Sequence, residues 1–142
     1  MSYSISISKA ILVVIFISDK IRQRMFEFIS AQMISKVLNI PKPTLVKILH
    51  NLTHAGIIET KEGKNGGIRI AKPIGKITVL DVFEAMEQEK PLFPSAFSIA
   101  AEGKRPSNAQ KSLAALLAAS EKQMKLVLAK KTIEDILEEM DK

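Results

Sequence analysis

The sequence predicts a mainly α-helical fold with one small β wing, on three observations. Residues 30–55 are spaced as helix, short turn and helix. Residues 57–70 hold two short β-branched runs around a glycine-rich loop. A long helix with apolar residues at heptad spacing follows Pro106. With 142 residues, 46% of them hydrophobic and 25% charged, the chain has an ordinary globular composition and room for one domain with an appendage.

The first element is the apolar run at residues 10–17. It is too short to span a membrane, and no small-residue cleavage pattern follows it. It reads as a buried helix over residues 6–18. A helix that is apolar nearly all round needs cover on more than one side. A partner subunit supplies that cover in this reading, with Ile11 and Val14 as contact positions.

Ser30 is a favourable N-cap for the next helix and a candidate DNA contact; the helix's apolar positions are Ile34, Val37 and Leu38 and its stop is Asn39. Pro41 and Pro43 fit a turn that feeds directly into a new helix, because proline is welcome at a helix start. That second helix is expected over residues 43–55. Leu45, Ile48, Leu49 and Leu52 fall at i, i+3, i+4 and i+7 on one buried stripe. Lys42, Pro43, Thr44, Val46, Lys47, His50, Asn51 and His54 are left to the outer side. They mix cations, hydrogen-bonding groups and methyl groups, the types that hold phosphates, read base edges and touch thymine methyls.

Ile57, Ile58 and Thr60 suit a strand, residues 62–67 suit a turn, and residues 68–70 alternate as the returning strand. A hairpin this small lacks a core of its own. It serves to hold Lys61, Lys64, Asn65 and Arg69 beside a ligand, unless it is simply a solvated hairpin. The helix pair followed by a hairpin is a winged helix-turn-helix, a module that lays its second helix in the major groove of double-stranded DNA. Charge agrees: residues 1–86 carry 12 Lys and Arg against 6 Asp and Glu, and residues 87–142 carry 9 of each. The net charge of +6 therefore sits wholly on the winged part, the footprint expected for a polyanionic partner.

Thr78 and Asp81 form a capping box for a helix ending near Met86. Residues 87–106 are then irregular, with Pro91, Pro94 and Gly103 among Leu92, Phe93, Phe97 and Ile99. Phe93 and Phe97 either line a pocket for a small-molecule effector or pack into the core. Ser107 with Gln110 is a second capping box, opening a long helix to about Lys130. Leu113, Leu117, Ser120, Met124 and Val127 are spaced 4, 3, 4 and 3, a heptad seam. A long helix of this kind either dimerises two copies, through Leu113, Leu117, Met124 and Val127, or folds back on its own domain. Thr132 caps a last short helix with Ile133, Ile136 and Leu137 inward. The organisation expected is a DNA-binding domain at 1–86, a connecting loop at 87–107 and C-terminal dimerisation helices at 108–142.

The chain resembles the Rrf2 (Rrf-two) family of bacterial winged helix-turn-helix transcription regulators, the group of IscR, NsrR and CymR. The resemblance rests on Ile40-Pro41-Lys42-Pro43-Thr44-Leu45-Val46-Lys47-Ile48-Leu49, the run 52–58 with Gly56, the wing Gly63-Lys64-Asn65-Gly66-Gly67, and Ile77-Thr78-Val79-Leu80-Asp81-Val82. It implies a homodimer in which the long helix crosses onto its partner near the first helix. Members with an iron-sulfur cluster carry three cysteines in the loop corresponding to residues 92–107; here there are none, which implies a member without the cluster. Val46 stands where such members often have an acidic base reader, Glu62 where many have an arginine entering the minor groove, and Thr44 where an aromatic is usual. The family's operators therefore do not carry over.

The expected function is a dimeric, cytoplasmic, cofactor-free repressor that binds a pseudo-palindromic operator. The alternative is a winged-helix module that docks a protein or RNA partner through its basic face. An enzyme is not expected. His50 and His54 form an i, i+4 pair with no carboxylate or thiol close in sequence, so no metal site is expected. The wing lacks the Walker spacing of a phosphate-binding loop.

Overall fold

Helix α1 (Tyr3–Arg22) carries Ala10, Val13, Val14 and Ile17 at i, i+3, i+4 and i+7, and all four are fully buried. The structure, a computed structural model, describes residues 3–87, 92–93 and 97–142; Pro91 and Pro94 of the expected loop lie outside the described residues. The buried stripe of α1 receives α4 (Val79–Glu87), α6 (Ile133–Met140) and β2 (Gly67–Ile70), with α2 (Ala31–Leu38) and α3 (Lys42–His54) beside them. Val14 thus belongs to the chain's own core and offers nothing to a partner subunit, contrary to the sequence reading. Ile11 is half-buried and packs against that core.

Helix α1 runs four residues past its expected end at Ser18. The Ser18 hydroxyl donates to the Val14 carbonyl at 2.7 Å, which satisfies it without leaving the helix. Asp19 then draws in Arg22 and Gln23 one turn on. The helix closes with Arg24 in the left-handed region at φ 57°, and the Met25 N–H donates to the Lys20 carbonyl at 3.2 Å.

Ser30 caps α2 as expected, accepting from the Met33 N–H at 3.1 Å, and Asn39 ends it at φ 53°. The turn into α3 is tied at both ends: the Ile40 N–H donates to the Ser35 carbonyl at 3.0 Å, and the Ser35 hydroxyl donates to the Ile40 carbonyl at 2.6 Å. Buried Ile40 anchors it. Strands β1 (Ile58–Lys61) and β2 pair antiparallel, with Glu59 opposite Arg69 and Lys61 opposite Gly67. Ile29 adds one more rung on the far side of β2, exchanging hydrogen bonds with Ile68 at 2.9 and 2.8 Å.

A single 3-10 turn at Ile74–Lys76 leads to α4, where Thr78 and Asp81 exchange the two bonds of the capping box. Helix α5 (Lys104–Ala129) begins three residues before the expected Ser107 cap. Pro106 does not delay it, because backbone N–H groups in a first turn have no helical acceptor to lose. Gln110 is not a capping partner either; its side-chain amide donates to the Phe97 carbonyl at 3.0 Å.

The last helix departs from the expected division of the chain. Ile133 and Leu137 of α6 are fully buried in the same core as α1, and the Thr132–Asp135 capping box starts the helix there. The Val79 N–H donates to the Lys131 carbonyl and the Ile133 N–H to the Ile77 carbonyl, both at 2.9 Å. The C-terminal helix is therefore part of the winged core, and of the C-terminal segment only α5 stands out from it. Leu137→Ala should cost about 2–5 kcal/mol in chemical denaturation, the range for a truncated buried leucine. A cost near zero would mean that the winged part is stable without α6.

Candidate nucleic-acid interface

Leu45, Ile48 and Leu52 of α3 face the core, and this burial fixes the rotation of the helix. Lys42, Pro43, Val46, Lys47, His50 and His54 are exposed as a consequence. Val46 is 62% exposed, an apolar side chain standing among cations on the outer face. Thr44 is half-buried. Asn51 is also half-buried, with its amide 3.9 Å from the Met86 sulfur of α4, so it turns partly toward its own chain. Exposed Thr53 was not anticipated on this face, and its hydroxyl is occupied by the Leu49 carbonyl at 2.7 Å.

Strand β1 of the wing packs against α3, and Lys64 and Asn65 are exposed at the wing tip. Its turn is tight: a Cβ at Gly66 would lie 2.0 Å from the Lys61 carbonyl oxygen. Lys61 is exposed near the tip, whereas Arg69 forms an ion pair with Glu59 across the strands and stacks on the Phe28 ring. Glu59 was missed as a partner because the pairing depends on the register of the neighbouring strand. Ser30 is exposed at the N-terminus of α2, on the element that precedes the reading helix.

A cleft of about 890 Å³ opens between α3 and α4. His50 and His54 line it from one helix, Glu84 and Glu87 from the other, and Lys72 and Lys125 also contribute. The histidine pair therefore has carboxylates for neighbours, which its sequence spacing did not reveal. Even so, no group of three or more His, Asp or Glu among the described residues is placed to hold a metal ion.

Glu87 is the most enclosed acid near this site, at 3% exposure. Burial pushes its carboxyl above the ordinary value of 4.5, Lys125 at 3.6 Å on α5 acts against that shift, and Glu121 and Glu84 reinforce it. Asp135 shows the opposite case: the backbone and hydroxyl of Thr132 hydrogen-bond its carboxylate and lower its pKa.

Phe93 and Phe97 are 44% and 53% exposed and do not line this cleft. That exposure does not match packing into the core. The backbone on either side is strapped to α5, with the Leu92 N–H donating to Glu121 and Gln110 donating to Phe97, and the rings are left outward. Helix α5 itself contains no buried residue. Its inner stripe is Ala114, Leu117, Glu121, Met124 and Leu128, all half-buried; Leu113, Leu116 and Val127 form an exposed apolar stripe on another side. The expected heptad seam is thus split, with Leu117 and Met124 turned to the chain and Leu113 and Val127 away from it.

The model of the Rrf2 family, described as an iron-dependent transcriptional regulator, matches residues 3–139. The chain belongs to the Rrf2 family. The family description is that of transcriptional regulators. A helix-turn-helix-type transcriptional regulator of Aquifex aeolicus is 38% identical over 56 residues, 39% of each chain. The chain spans less than two fifths of the length of the curated relatives it matches. Among solved structures, a transcriptional regulator from Lactobacillus plantarum has a TM-score of 0.78 at 17% identity, covering 96% of this chain and 89% of that one. Staphylococcus aureus CymR has a TM-score of 0.64 at 22% identity, covering 92% and 93%. At these identities the likeness is one of fold, and the fold is the winged helix-turn-helix that the sequence predicts.

The iron in the family description can be tested against the donors present. Iron-sulfur clusters are held by cysteine thiolates, and this Rrf2-family chain has no cysteine. Its residues do not fit a cluster of that kind.

The raised pKa of Glu87 sets a pH dependence. A carboxyl raised in the folded state contributes stability below its ordinary value, and that contribution is lost as pH rises through the folded value. Stability of the parent chain relative to Glu87→Gln should therefore fall as pH rises from about 4 toward neutrality, read as melting temperatures across a pH series. A constant difference over that window would show that Glu87 titrates normally.

Proposed function

We propose that this Rrf2-family chain is a cytoplasmic repressor that binds double-stranded DNA as a homodimer at a pseudo-palindromic operator, without an iron-sulfur cluster. The observation that carries this reading is the outer face of α3. Lys42, Val46, Lys47 and His50 project together from a helix whose rotation is fixed by its buried stripe, and Lys64 and Asn65 lie exposed at the tip of the wing that follows it. Cations for phosphates and an exposed branched apolar group for thymine methyls suit a major groove. The excess of positive charge on residues 1–86 supports a polyanion as the partner.

Dimerisation is supported by α5. At 1.5 Å per residue its 26 residues extend about 39 Å, and Leu113, Leu116 and Val127 lie exposed along it. Such a stripe is costly to leave in water, and a second copy provides a like surface to cover it. The absence of thiolates supports a switch other than a cluster, and the family supports transcription as the process regulated.

Sequencing the genomic fragments retained by the purified protein tests the reading. The expected outcome is one recurrent motif with two half-sites about one helical turn apart; retention no better than for mixed-sequence duplex at moderate salt would reject it. Leu116→Glu with Val127→Glu should convert the protein to a monomer in light scattering with its circular dichroism unchanged, because both side chains are mostly exposed within one chain. Its operator affinity should fall by at least tenfold, a loss of about 1.4 kcal/mol. An unchanged mass would place the subunit contact elsewhere.

A further inference from the structure

Phe28 belongs to neither the reading helix nor the wing, yet two of the wing's cations lie over its ring. The Arg69 guanidinium carbon is 4.8 Å from the ring centroid and the Lys61 ammonium 5.5 Å. Both are within the range of about 6 Å at which an aromatic face attracts a cation. The seat for the ring is built by the backbone. Ile29, the next residue, is hydrogen-bonded to Ile68 in both directions, which draws the Phe28 segment against β2. Gly67 allows that approach: at φ 143°, a Cβ there would lie 2.8 Å from the Ile29 oxygen and 3.1 Å from the Phe28 Cβ. Any larger residue would push the strand away from the ring.

The two cations are not equivalent. The charge of Arg69 is answered by Glu59, directly opposite it in the strand register. Lys61 is opposite Gly67 and forms no ion pair among the described residues. A carboxylate partner would neutralise an ammonium and take up its donors, whereas a ring attracts the cation while leaving three N–H donors for another ligand. A long lysine side chain also loses rotamer freedom when it meets a phosphate, and contact with the ring incurs part of that loss before DNA arrives.

We propose that Phe28 is a positioning residue for DNA binding: its ring presents Lys61 as a phosphate-binding cation of the wing, and the Glu59–Arg69 pair braces the other contact on the same ring. The inference rests on the DNA-binding reading above and deepens it, by assigning a phosphate contact of the wing to Lys61 and not to Arg69.

The test uses the full chain and a fluorescein-labelled mixed-sequence duplex, since non-specific binding reports phosphate contacts alone. Affinity is measured over a salt series for Phe28→Leu, Phe28→Trp, Lys61→Met and the Leu/Met double variant. Phe28→Leu should weaken binding about two- to fivefold, the value of one exposed cation–π contact. It should lower the steepness of the salt dependence by up to about 0.9, the loss of one phosphate contact. Lys61→Met should do the same or more, Phe28→Trp should bind at least as well as the parent, and Phe28→Leu should add nothing once Lys61 is gone. A role confined to packing would lower the melting temperature and leave the salt slope unchanged. The proposal is overturned by a Phe28→Leu variant with parental slope and affinity, or by a penalty equally large without Lys61. Should Phe28→Leu not fold, Phe28→Trp made with and without Lys61 decides: an effect that ignores Lys61 overturns the proposal, and one that needs it supports it. Failure of the parent chain itself to bind any duplex would sink the DNA-binding reading, a result separate from either outcome for Phe28.

Discussion

Burial of the Ala10, Val13, Val14 and Ile17 stripe is the constraint on which the other elements depend, because α4, α6 and β2 all press on it. Each of these side chains excludes water only while its covers stay in place, and each cover carries something outward. Strand β2 carries the wing, α4 carries the acids that face the reading helix, and α6 returns the C-terminus to the start of the chain. A branched aliphatic side chain fully buried in this way contributes about 1.5–3 kcal/mol. The seat of α3 is similarly determined by Leu45, Ile48 and Leu52, which leaves Lys42, Val46, Lys47 and His50 exposed on its outer side.

Polar groups refine what the apolar core positions. Ser35 ties the turn between α2 and α3 with both its backbone and its hydroxyl, so the reading helix leaves the turn in a defined direction. Two reciprocal capping boxes, at Thr78 and Thr132, start α4 and α6 side by side, joined by a pair of backbone bonds. No buried side-chain nitrogen or oxygen among the described residues lacks a partner. The one strongly enclosed acid among the described residues, Glu87, faces Lys125 of α5, which places a charged contact between the helix behind the reading face and the helix proposed to join two copies.

Fold and function have different supports here. The winged helix-turn-helix is shared with solved regulators at low identity, and such a fold serves more than one purpose. The functional reading comes from the side chains on it: an apolar group exposed among cations on α3, a wing lysine over an aromatic ring that forms no ion pair among the described residues, and a long helix whose outer stripe lies exposed among the described residues.

Local patterns were legible in the sequence wherever a physical signal is confined to neighbouring residues. Ser30, Asn39, Pro41 and Pro43 mark helix ends, the i, i+3, i+4 and i+7 spacing marks the buried side of α3, and paired β-branched runs around glycines mark the wing. These depend on capping geometry, helical period and turn chemistry, all short-range properties of the chain. What required the folded chain was everything set by contacts between distant segments. Val14 turned inward because α4 and α6 supply the cover that had been assigned to a partner, and α6 joined the core through Ile133 and Leu137. Periodicity gave α5 an apolar seam, but only its packing showed that Leu117 faces the chain while Leu113 faces away. Glu59 against Arg69 and Phe28 beneath Lys61 depend on strand register, which no local pattern carries. Composition and spacing thus determined which elements form and what charge they bear; tertiary contacts decided which side of each is buried, because burial depends on the surface that arrives opposite.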